Sequence, residues 1–470
     1  MRLGRAAAAA LLSLACARAP ETATRIEPTA CDARVRVASE RPLLLDVDVA
    51  CSGQEIAAFR AAEAASVQHL SRLPAGVTRH GPRFVLAAPS RQARLSYRVN
   101  LDALASSAQS FDIALRSGST LVAPVSSWLV HPDPLATDVP VRVRVETPPG
   151  FSFETGLTRS DRAYTLEAHE IPVGTYALFG RFESRTLDVD DSRLRVAFAD
   201  GRLDAGKDEL AGWIEASARA VGDFWRKFPV PHVLVTVIPV PGRDGVLFGK
   251  VLPESAPGVV LLVGEHTGRA RLYQDWILVH ELFHLGVPSF SGEGKWFDEG
   301  LATYFEPIIR ARAGWRTEES VWAEFRRAMP LGLEAVSKKG LERAEDFGEV
   351  YWGGAIVVML ADVEIRRRTG GARGLEDGLR AVLAAGGHAS EVWPLDRTLS
   401  LSDESCGVPA LEPLARAHAR SASRVDLDAL WRELGVEEGR LNASAPLAEV
   451  RRAILRGGPH STSAKLGRLR

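Results

Sequence analysis

The chain carries almost no net charge. Its 58 lysines and arginines against 59 aspartates and glutamates leave −1 over 470 residues. The two signs are interspersed, so neither a nucleic-acid groove nor a polybasic membrane surface is expected. Several chemistries are missing too. There is no G-x-S-x-G elbow, no phosphate loop and no G-x-G-x-x-G. Gly245 to Lys250 carries glycine and lysine without the spacing that a phosphate loop needs. Cysteine is scarce, with four in all.

Those four cysteines agree with an exported chain. Arg2 and Arg5, then the apolar Ala6 to Ala15, read as an export signal over residues 1–17, too short in its apolar part to span a bilayer permanently. Two kinds of processing fit. Cleavage follows Ala15-Cys16-Ala17, or Leu12-Ser13-Leu14-Ala15-Cys16 acts as a lipobox, with serine three before the cysteine, and a lipidated Cys16 attaches the chain to a membrane. The expected setting is periplasmic, cell-surface or secreted. Cys31 and Cys51 flank two alternating runs, Ala33 to Val37 and Leu43 to Val49, and a disulfide between them suits an oxidising compartment. Cys406 stands in no motif and reads as a small buried residue.

With 46% hydrophobic and 25% charged residues, a chain of this length is expected to form two or three globular domains. Residues 24–186 read as a β-sandwich-like accessory domain, with period-two runs such as Arg94 to Val99, Ser110 to Leu115 and Val141 to Glu146, and a short helical stretch near Ile56 to Leu73. Residues 187–330 read as an α+β catalytic lobe. In it a strand at Arg193 to Phe198 leads to a helix whose buried face is Leu210, Trp213, Ile214, Ala218, Val221, Phe224 and Trp225. Strands follow at Val233 to Ile238 and Gly258 to Val263, the second either buried or at an edge where an extended substrate backbone could pair with it. A helical lobe at 331–440 and a tail at 441–470 complete the chain.

The chemistry gathers at Trp276-Ile-Leu-Val-His280-Glu281-Leu-Phe-His284, on a helix expected from about Ala270. Residues four apart on a helix share a face, so His280 and His284 can bind one ion while Glu281 reaches a metal-bound water. The pattern H-E-x-x-H is a zinc signature with the glutamate as general base. A second helix, near Lys295 to Ile309, presents Glu299 in its first turn and completes three protein ligands with one open position. Asp298 and Thr303 are candidate partners that would orient those ligands. The expectation is one Zn²⁺ held by His280, His284 and Glu299, and hydrolysis of a peptide or protein substrate.

The stretch Trp296-Phe-Asp-Glu-Gly-Leu-Ala-Thr-Tyr-Phe-Glu306 resembles the W-x-x-E-G-x-A-x-Y segment of the gluzincin aminopeptidases of the alanyl-aminopeptidase type. Tyr351-Trp-Gly-Gly354, Ala361-Asp362 with Ile365-Arg366, and Leu375-Glu-Asp377 resemble the glycyl-aminopeptidase family. The resemblance spans about residues 187–385. It implies a thermolysin-like zinc peptidase fold, with Glu281 as base and the Tyr351 phenol stabilising the oxyanion. The chain departs from the pattern in three ways. Only fourteen residues separate His284 from Glu299. The last 85 residues show no peptide-binding PDZ domain. Gly258 to Leu262, in the place of the strand that carries an amine-binding glutamate, has no acid, and Asp244, Glu254 and Glu265 are the acids nearest in sequence. Aminopeptidase and endopeptidase activity therefore both stay open, beside a non-catalytic binding protein that retains the fold.

Overall fold

The computed structural model describes residues 29–135, 137–252, 256–421 and 423–456. The expected export signal, Cys16, Glu254 and the residues from Gly457 lie outside them.

The N-terminal part is built of β-strands. A nine-stranded sheet centres on the long antiparallel strands Ala30–Glu40, Leu43–Ala61 and Arg83–Asn100, and Pro140–Glu146 runs parallel to the first. Alternation sorts its residues. Val35, Leu45, Val47, Val49, Leu95 and Val99 enter the core, while Asp46 on the outer face pairs with Arg98 at 2.6 Å and Arg36 at 2.7 Å. A four-stranded sheet packs over the inner face and contributes Phe179, whose ring meets Trp128 edge-on. Cys31 and Cys51 lie directly opposite each other in register and form the expected disulfide.

Two local expectations fail here. Ile56 to Leu73 is not a helix. The strand continues to Ala61 because Ile56, Ala58 and Phe59 pair with Ser90, Val85 and Phe84, and a single 3₁₀ stretch, Ala64–His69, follows. Partners more than twenty residues away override the local pattern. Ser110 to Leu115 is mostly turn, closed by a Ser110–Ala114 bridge, and the strand is Leu115–Ser117.

The next unit is a five-stranded sheet in the order Glu183–Val189, Ser192–Phe198, His232–Val240, Gly258–Gly264, Val246–Leu252. Its middle pairings are parallel and both edge pairings antiparallel. The helix Gly206–Trp225 makes the crossover between parallel strands and buries the face its spacing demanded. Chain order and spatial order part at the far edge. Gly258–Gly264 is an interior strand, and the open edge belongs to Val246–Leu252.

The helix expected from Ala270 is two helices, Arg269–Gln274 and Ile277–His284. Asp275 is extended, and its carboxylate accepts from the Ile277 N–H at 2.8 Å, so it starts the second helix instead of continuing the first. The C-terminal part is helical, with the long helices Lys295–Arg312 and Gly353–Arg368 at its centre. One apolar core runs unbroken from Val189 to Ile454. The tail expected from 441 does not start there. The helix Ala448–Arg456 buries Ile454, and Arg451 donates to the carbonyls of Leu434, Gly435 and Asn442. No helix among the described residues is long and apolar enough to cross a membrane.

Candidate active site

His280 and His284 project from one face of Ile277–His284, and both are buried. Glu299 opens the second turn of Lys295–Arg312, and Asp298 takes the first-turn place expected for it. The Glu299 Oε2 atom lies 3.2 Å from His280 Nε2 and 3.6 Å from His284 Nε2. Nitrogen and oxygen ligands at ~2.0–2.1 Å from a tetrahedral zinc stand about 3.4 Å apart, so the observed spacings bracket that value.

The electrostatics also ask for a cation. His284 Nδ1 faces Asp298 Oδ1 at 2.8 Å, which fixes the ring with its Nε2 toward Glu299. Burial opposes an imidazolium there, yet Asp298 and Glu299 outweigh it and hold the His284 pKa well above its ordinary value. Burial likewise opposes the Glu299 carboxylate, but the two imidazoles keep its pKa far below the usual range. The buried carboxylates thus call for positive charge at this point, which a bound metal ion can supply in place of an imidazolium. Thr303, the other expected partner, is buried, and neither its hydroxyl nor His280 Nδ1 has a hydrogen-bond partner among the described residues.

Glu281 lies beside this set and is tied to the edge strand. The Val251 N–H donates to its Oε2 at 2.9 Å, and burial raises its carboxyl pKa. Gly249 makes the approach possible. A β-carbon there would fall 2.3 Å from Ile277 Cγ2 and 2.8 Å from Glu281 Cγ. This role was missed from the sequence, although a glycine inside a strand is a sign of close backbone approach.

Tyr351 comes from a π-helical turn, Gly348–Trp352, that leads into Gly353–Arg368. Its ring lies parallel to His280 at 5.7 Å, and the Glu299 carboxylate acts on its phenol. Burial, then the Glu299 charge, pushes that phenol well above its ordinary pKa, so it remains a proton-bearing donor. Contact between two helix starts sets this position. A β-carbon on Gly300 would lie 2.4 Å from the Gly354 carbonyl carbon, and one on Gly354 only 1.9 Å from Trp296 O. The glycines after Glu299 and Tyr351 thus let backbone touch backbone and bring the two side chains together.

Behind them, Asp362 accepts from Tyr304 Oη at 2.8 Å, Arg366 Nε at 3.0 Å and Leu375 N at 2.8 Å. Arg366 also reaches Glu376 at 2.5 Å, and Arg312 reaches Glu376 at 2.9 Å. The Asp362, Arg366 and Glu376 positions of the sequence pattern are therefore a buried brace between the helix of Glu299 and the helix that follows Tyr351.

Of the acids considered for amine binding, Glu254 lies outside the described residues, and Glu265 and Asp244 are engaged or exposed elsewhere. Glu265 accepts from Gly242 N and clusters with Asp204 and His266, where Arg202 pairs with both carboxylates. Asp244 is exposed in the turn that precedes the edge strand. Cys406 is buried and its thiol pushed up to about 12 by burial, which leaves it inert.

No family model matches the sequence, and a search of curated proteins found no match. Solved structures do match. An aminopeptidase N family protein from Idiomarina loihiensis, 13% identical, superposes with a TM-score of 0.66 over 86% of this chain and 78% of that one. A mutant M1 zinc metallopeptidase from Deinococcus radiodurans, bound to a Tyr-Ser-Ala substrate and 15% identical, gives 0.52 over 85% and 96%. The fold is that of the M1 zinc metallopeptidases. At these identities the likeness is one of architecture, including the β-rich N-terminal part and the helical C-terminal part.

Proposed function

We propose that the chain is an exported zinc-dependent metallopeptidase that hydrolyses peptide bonds, with aminopeptidase-like action as the leading reading. The observation that carries it is the convergence of His280, His284 and Glu299 around a space sized for one ion, with Glu281 and Tyr351 at its rim. In this reading the five-stranded sheet and the metal helices form a thermolysin-like catalytic unit.

His280, His284 and Glu299 would hold one Zn²⁺, with Asp298 fixing the His284 ring. Bound zinc supplies Lewis acidity to water and to the scissile carbonyl. Glu281, desolvated and anchored by Val251, takes a proton from the attacking water and passes it to the leaving amine. The Tyr351 hydroxyl donates to the oxygen on which negative charge develops. An extended peptide lies along Val246–Leu252, whose outer side has no partner strand among the described residues.

One observation favours an endopeptidase instead. The edge strand reads Val246-Leu-Phe-Gly-Lys-Val-Leu252 and offers no acid to a free amine. Peptides with free and acetylated N-termini separate the two, because only an aminopeptidase loses activity on acetylation. Export is supported by the Cys31–Cys51 disulfide, and attachment through Cys16 remains part of the proposal.

The test is metal content with turnover. One zinc per chain and cleavage of a peptide library are expected. Glu281→Gln should keep the zinc and lose turnover, whereas His284→Ala should lose the zinc. A full zinc complement without cleavage of any peptide would leave the non-catalytic binding protein as the better reading.

A further inference from the structure

Seven large apolar residues are strongly exposed among the described residues, and single ones need no explanation. Three of the seven are not scattered. Phe347 is 55% exposed, and its ring stacks on Tyr351 at 4.1 Å. Tyr351 in turn stacks on His280 at 5.7 Å. Trp276, 39% exposed, meets His280 edge-on at 5.2 Å. Leu331, 60% exposed, lies against Gly348, where an added β-carbon would be 3.2 Å from its own. Leu331 therefore packs against the same turn that carries Phe347 and Tyr351.

We infer that Trp276, Leu331 and Phe347 form the recognition surface for a large apolar side chain, preferably aromatic, next to the scissile bond. The inference rests on the zinc-peptidase reading and names its substrate class. Grouped exposed apolar side chains mark contact sites, and these are continuous with His280 and Tyr351. Aromatic faces favour aromatic partners in stacked or edge-on contact. An acidic side chain set against these apolar groups would lose hydration with no partner in exchange.

The experiment compares affinities of zinc-loaded protein for the hydroxamates of phenylalanine, leucine, glycine and aspartate by calorimetry, which needs no turnover. Phenylalanine and leucine hydroxamates should bind about tenfold or more tighter than glycine hydroxamate, a difference of about 1.4 kcal/mol or more, and aspartate hydroxamate should bind weakest. Phe347→Ser and Leu331→Ser alter exposed side chains and should each cut the phenylalanine-to-glycine ratio several-fold. Val392→Ser, equally exposed but outside this group, should leave the ratio as it is. Equal affinity for phenylalanine and glycine hydroxamates, or a ratio unmoved in both serine variants, overturns the inference alone. Protein that binds no zinc overturns the peptidase reading and this inference with it.

Discussion

Gly249 and Glu281 lie so close that a β-carbon on the glycine would stand 2.8 Å from the glutamate's Cγ. The absence of a side chain on the edge strand therefore determines where the proposed base sits. Gly249→Ala forces the strand and Glu281 apart and disturbs the Val251 N–H bond to its carboxylate. Displacements of about 1 Å at a catalytic group cost about a hundredfold in rate. The expected result is a loss of that order in kcat with zinc content unchanged, read from steady-state kinetics and metal analysis on one preparation. Lost zinc would show that the glycine supports the metal helix as a whole.

The legible part of the molecule was whatever the chain writes locally. His280, Glu281 and His284 are close together on one helix, Glu299 lies near the start of the next, and Cys31 faces Cys51 across one hairpin. What could not be read depends on partners distant in sequence. Ile56 and Phe59 are strand residues only because Ser90 and Phe84 pair with them. The open edge is Val246–Leu252 because Gly258–Gly264 inserts between it and His232–Val240, an order that hydrophobic pattern does not encode. The motif around Asp362 and Arg366 was visible as a motif, but its role as a brace needed Tyr304, Arg312 and Glu376 to be placed around it.

Asp298 holds the His284 ring from the side opposite Glu299. Removing a hydrogen-bond partner of this kind commonly costs about 10–100-fold in metal affinity. Asp298→Ala should show a loss in that range in competition with a chelator. Asp298→Asn, which still accepts from Nδ1–H, should lose less. Equal losses in the two variants would place the charge, not the hydrogen bond, at the centre of the effect.

Arg366 is 3% exposed between Asp362 and Glu376, which are 0% and 1% exposed. Removing one partner of a buried ion pair costs about 3–5 kcal/mol because the remaining charges lose their compensation. Arg366→Ala should therefore destabilise the protein by that amount in denaturant unfolding. Arg366→Met combined with Glu376→Gln removes a charge of each sign and should recover more than half of the loss. If the double variant is no more stable than Arg366→Ala, the network's value lies in the hydrogen bonds that Arg366 and Glu376 themselves make with Asp362 and Arg312.

Asp275 gives a pH dependence with a definite sign. Burial raises its carboxyl pKa from 3.8 to about 6, against the Ile277 N–H bond and the Arg310 charge, which lower it. Between those values the native state binds more protons than the unfolded chain does, so this group's contribution to stability falls as pH rises through the window and is level above it. An asparagine accepts the same Ile277 N–H without ionising. The melting temperature of Asp275→Asn relative to the parent, at saturating zinc, should therefore rise from pH 4 to pH 6 and stay level at higher pH. A difference that is flat across the window would mean that the Asp275 carboxyl titrates at its ordinary value and that its only work is to start the helix of His280 and His284.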